Sequence, residues 1–104
     1  MPTIRTLSGR NSFSYTGNCK EGFYLEYSDR PFVSPQVISS ITSFFCGTTV
    51  IGGFNVSNPK GFGKWLQENT SFTSRHGSHI AAVLAHEDLL VPSWDGNRIL
   101  LHFR

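Results

Sequence analysis

At 104 residues the chain has room for one core of ordinary size and none for a second domain with its own interior. Hydrophobic residues make up 38% of it, with nine Phe, two Trp and three Tyr, which excludes a disordered chain over most of the length. Lysine and arginine exceed the acidic residues by only two, so net charge does not by itself demand a nucleic-acid partner, and no apolar run approaches the roughly 20 residues of a membrane span.

Residues 1–33 read as a β-rich extension. Thr3–Leu7, Ser12–Thr16 and Gly22–Ser28 are strand-like, separated by Gly9-Arg10-Asn11 and by the turn-forming run Gly17 to Gly22. Phe13 and Tyr15 alternate with hydroxyl residues, and Phe23, Leu25 and Tyr27 alternate with Tyr24 and Glu26, so each strand offers one apolar face to whatever follows. The opening segment MPTIRTLSGRNS has no hydrophobic signal region. Cys19 and Cys46 lack metal-ligand spacing and are expected as free thiols in a reducing, cytoplasmic compartment.

A first helix should start after Ser34, an N-cap residue followed by Pro35 at a position where a missing N–H costs nothing. Val37, Ile38, Ile41, Phe44 and Phe45 form its apolar stripe, and Gly47 closes it. Thr48–Ile51 reads as a brief strand. A second helix runs from Pro59 or Phe62 to about Glu68, burying Phe62, Trp65 and Leu66 and turning Lys60, Lys64 and Gln67 outward, although Gly61 and Gly63 weaken its start. After Asn69-Thr70-Ser71, Thr73 or Ser74 caps a third helix to about His86, with Ile80, Ala81, Val83 and Leu84 inside. Leu89–Val91 and Ile99–Phe103 then make a hairpin across residues 92–98, where Asp95-Gly96 signals the turn, Trp94 reads first as a cover for the core and His102 as a solvent-facing strand residue. The fold class is therefore α+β: a small antiparallel N-terminal sheet, then three helices with a C-terminal hairpin, all in one domain over 1–104.

From residue 34 the order helix, short strand, helix, polar turn, helix, strand, turn, strand resembles the winged helix-turn-helix family. The resemblance rests on element order and burial pattern over residues 34–104, and it implies a third helix whose leading end enters the major groove while the hairpin tip reaches the DNA backbone. Thr73, Ser74, Arg75, His76, Ser78 and His79 would then face the groove, with Arg75 suited to a guanine edge and Gly77 easing close approach. Lys60, Lys64, Asn97 and Arg98 would contact phosphates. Each also has a plain alternative: the hydroxyls and imidazoles as helix caps, the cations as solvated surface.

The expected function is thus a sequence-reading double-stranded DNA-binding domain of a regulator, or the recognition module of a larger protein, since the chain stops directly after a strand. The competing reading is a protein-interaction or dimerisation module using Tyr24, Phe32 and Trp94. Carboxylates are few and form no hydrolase or nuclease pattern, and Gly61-Phe62-Gly63-Lys64 lacks the spacing of a phosphate loop, so neither catalysis nor a cofactor is expected. A zinc hydrolase on His76, His79 and His86 is the remaining alternative, weak because nothing at helical spacing completes a first shell.

Overall fold

A computed structural model of the chain describes residues 3–5, 12–26, 31–53, 60–96 and 98–104, without the side chains of Thr3, Arg5, Ser74 and Arg75. Its first four strands, β1 (Thr3–Arg5), β2 (Ser12–Asn18), β3 (Gly22–Leu25) and β4 (Phe32–Val33), form an antiparallel meander in the order β1-β2-β3-β4. β2 divides its pairing, using Ser12–Ser14 for β1 and Tyr15–Asn18 for β3. The turn after β2 is set by Asn18, whose side-chain oxygen accepts the backbone N–H of Lys20 at 2.9 Å and of Glu21 at 2.7 Å. The pleat then sends Tyr15, Phe23, Leu25 and Val33 inward, where all four are buried.

Helix α1 (Pro35–Phe45) begins as its sequence dictates. Ser34 accepts the Val37 N–H at 3.2 Å, with Pro35 in the first turn. Ile38, Ile41 and Phe45 are buried; Val37 is only half-buried and Phe44 points outward, so the expected stripe is narrower than its five members. Strand β5 (Thr49–Ile51) follows, then α2 (Gly61–Asn69) and α3 (Ser74–His86), and finally β6 (Leu90–Asp95) and β7 (Arg98–Phe103). The helix α2 starts at Gly61 because that residue sits at φ +50° against the backbone of Ile51, a conformation and a clearance that favour glycine, while the Gly63 N–H donates to the Gly52 carbonyl at 2.8 Å.

The last sheet has the order β5-β7-β6, so the final strand lies in the middle and ties the hairpin to a strand some fifty positions earlier, with Thr49 opposite His102 and Leu90 opposite Phe103. The hairpin strands run further than expected, leaving two residues at the turn instead of a seven-residue loop. Pro92 is tolerated within β6 because β6 is an edge strand.

The third helix is the centre of the molecule. Ile80, Ala81, Ala82, Val83 and Leu84 are all buried, and five successive residues sweep more than one full turn, so this stretch has no solvent side. α2 and β6 pack on one part of its circumference, β1 and β2 on another. Among the described residues, no helix is long and apolar enough to cross a membrane.

Candidate functional site

The residues expected to face a DNA groove are only partly presented to solvent. Thr73 is exposed and caps α3, its backbone N–H donating to His76 Nδ1 at 3.2 Å and its hydroxyl 3.1 Å from the same nitrogen. The His76 ring lies edge-on to Phe72 with centroids 5.6 Å apart. His79 stands edge-on to Phe13 of β2 at 4.6 Å, with the Ser78 hydroxyl 3.4 Å from its Nδ1, and Gly77 is buried. Of the imidazoles read as groove-facing, then, one folds back over the cap and the other rests on the N-terminal sheet. Asn97 and the side chains of Ser74 and Arg75 lie outside the described residues. His86 is exposed and faces the Tyr15 ring, and no cluster of three His, Cys, Asp or Glu able to hold a metal ion occurs among the described residues.

The basic residues collect at a different end. Lys60 and Lys64 are exposed, one turn apart at the start of α2, where no side chain caps the helix. Lys60 donates its backbone N–H to Gly53 at 3.3 Å and Gly52 donates to Ile99 at 3.0 Å, which ties this helix start to the first residues of β7. Arg98 lies there, exposed, with its guanidinium 2.6 Å from Asp95. The nine residues of α2, about 13 Å of helix, separate Lys60 from the α3 cap.

Exposed aromatic side chains form a second kind of surface. Thr16, Tyr24 and Phe32 stand in register on the outward face of β2, β3 and β4, and the Tyr24 and Phe32 rings, 41% and 43% exposed, pack at 4.7 Å. Phe32 can lie flat because Gly22 is beneath it: a Cβ at that position would stand 2.6 Å from the ring. Phe44, 63% exposed, leans on Trp65 at 5.5 Å beside a groove of about 270 Å³ lined by Gln36, Val37, Ser40 and Asn69. Trp94 is mostly exposed at the hairpin end and does not cover the core as expected.

Two polar clusters carry no local signal in the sequence. Glu87, just past α3, accepts the Tyr15 hydroxyl at 3.0 Å and the Cys19 backbone N–H at 2.8 Å, joining the N-terminal sheet to the exit of α3. Burial, reinforced by the Glu87 carboxylate, pushes the Cys19 thiol up to about 12, and burial together with the hydrogen bond to Glu87 also raises the Tyr15 hydroxyl. Both cysteines are free thiols. On the outer face of the second sheet, His102 is not a plain solvent-facing residue: its Nδ1 lies 2.9 Å from the Thr49 hydroxyl and its Nε2 2.6 Å from that of Ser93, so it laces all three strands together. Neither a protein-family model, nor a curated protein, nor a solved structure matches the chain.

Proposed function

We propose that the chain is a protein-interaction module, acting in a reducing cytoplasm, that docks another protein chain on its outward aromatic surface, with Tyr24 and Phe32 as anchors. The observation that carries this reading is the pairing of those two large rings in solvent on a sheet whose other face is fully committed to the core. Aromatic side chains lose little conformational freedom on binding and bring large apolar area, which is why they dominate contact surfaces. The enclosed middle of α3 supports the same choice, because the helix meets β2 at His79 and at His86 and is buried all round between Ile80 and Leu84. A second copy of the chain is the first partner to test.

A second reading, a winged helix bound to double-stranded DNA, draws on the helix and strand order from residue 34 onward and on the gathering of Lys60, Lys64 and Arg98 at one end. An uncapped helix start bearing two lysines suits phosphate, and Arg75 and Asn97 would add base and backbone contacts as the sequence suggests. Sedimentation velocity and titration of a fluorescent duplex separate the two. Self-association that persists in high salt and is lost in Tyr24→Ala/Phe32→Ala supports the interaction module. A monomer that retains duplex DNA, more weakly in Lys64→Ala for any sequence and in Arg75→Ala for one sequence, reverses the order of the readings.

A further inference from the structure

A cleft of about 490 Å³ opens between the first two turns of α1, the β2–β3 turn and the exit of α3, lined by Cys19, Lys20, Pro35, Ile38, Ser39, Thr42, Glu87 and Leu89. It shares no residue with the aromatic pair or with the basic end of α2. Its volume falls within the range of about 300–1,000 Å³ typical of small-molecule sites.

The lining has three chemical parts. Ile38, Pro35 and Leu89 supply an apolar wall, Ile38 being buried and the other two half-buried. Glu87 supplies a half-buried carboxylate whose two oxygens each accept a hydrogen bond, from the Tyr15 hydroxyl and the Cys19 N–H. Both donors are neutral, so they fix the carboxylate without cancelling its charge, and Glu87 forms no ion pair among the described residues. Lys20 supplies an exposed cation on the same cleft, its backbone N–H held by Asn18. It too has no ion-pair partner among the described residues. An anchored anion and a cation on one cleft, each without an ion-pair partner among the described residues and with apolar wall beside them, match a ligand carrying both charges and an aliphatic body.

We propose that this cleft binds a small aliphatic zwitterion of the α-amino acid class, its ammonium group on Glu87, its carboxylate toward Lys20 and its side chain on Ile38, Pro35 and Leu89. The ligand's ammonium then meets a half-buried carboxylate and its carboxylate an exposed cation, and the apolar body replaces water on the α1 wall.

The test is a heteronuclear NMR titration of the full chain with L-leucine, with 4-methylpentanoate and 3-methylbutylamine as probes that each lack one charge. The expected result is saturable shifts at Cys19, Lys20, Ser39 and Leu89 with L-leucine, and binding about tenfold or more weaker for either single-charge probe. Lys20→Ala should weaken leucine binding several-fold, and Ser39→Trp, which fills the cleft from an exposed position, should abolish it; neither side chain belongs to the core, so both variants should fold. Absence of saturation at tens of millimolar leucine overturns the proposal. So does binding of the amine or the acid as tight as that of leucine, or binding that survives Ser39→Trp.

Discussion

Helices α1 and α3 have similar lengths and opposite situations. α1 divides cleanly: Ile38, Ile41 and Phe45 face the core, while Gln36, Ser39, Ser40 and Ser43 face water. α3 has no such division between Ile80 and Leu84, being closed in by the N-terminal sheet as well as by α2 and the hairpin. The contrast teaches that an apolar run with no polar interruption marks a helix enclosed on all sides. Ile80-Ala81-Ala82-Val83-Leu84 is such a run, and over it α3 offers no side to solvent.

The largest expected effect tests that enclosure directly. Ala82 is 3% exposed. Ala82 follows His79 by three residues and precedes His86 by four, so it shares the helix face that meets β2. Ala82→Arg would drive a charge and a long side chain into that buried face, and should cost more than about 3 kcal/mol in urea unfolding or prevent folding altogether. Ser40→Arg, on the exposed side of α1, should stay within about 0.5 kcal/mol of the parent. An Ala82→Arg protein of near-parental stability would mean that the sheet does not seat on α3, and would return that face to the DNA reading.

How much of this was legible depends on whether the signal was local. The start of α1 followed from Ser34 and Pro35, the start of α3 to within a residue from Thr73 and Ser74, and the turn of the hairpin from Asp95-Gly96, because caps and tight turns are decided by neighbours in sequence. β4 escaped notice, since Phe32 and Val33 are too few to show a period. The layering of the sheet on α3 rests on contacts such as Tyr15 to Glu87, 72 positions apart, and the lacing of His102 on Thr49, 53 positions away. Neither leaves a pattern in the chain. The edge contact of His79 with Phe13, 66 positions earlier in the chain, is of the same long-range kind.

A middle-sized effect distinguishes the exit of α3, which is pinned to the N-terminal sheet, from that of α1, which ends in solvent at the exposed Cys46 and Gly47. Glu87→Gln keeps the shape of the pin and removes its charge, and should cost about 1–3 kcal/mol near neutral pH. Cys19 and Tyr15 are both raised above their ordinary values of 9.0 and 10.0. The folded state therefore holds those protons more tightly than the unfolded chain does. Their contribution is complete below pH 9 and is lost as pH climbs from there toward about 12. Urea midpoints measured from pH 7.5 upward should begin to fall near pH 9, less steeply in Glu87→Gln; a flat profile would sever the pin from stability. Iodoacetamide should accordingly modify Cys46, which is exposed, well ahead of Cys19 in the folded protein.

The smallest effect compares how the two helices begin. In α1 the Ser34 hydroxyl satisfies the Val37 N–H, one of the donors that a helix start leaves without a backbone partner, at a part-buried site. Ser34→Ala should therefore cost about 1 kcal/mol. In α3 the imidazole of His76 takes the Thr73 N–H instead, at an exposed site where water can substitute. His76→Ala should cost less, about 0.5 kcal/mol, through the lost bond and the lost edge contact with Phe72. If His76→Ala instead leaves stability untouched and weakens duplex binding, its ring serves a ligand before it serves the cap, and the first turn of α3 regains the role its sequence suggests.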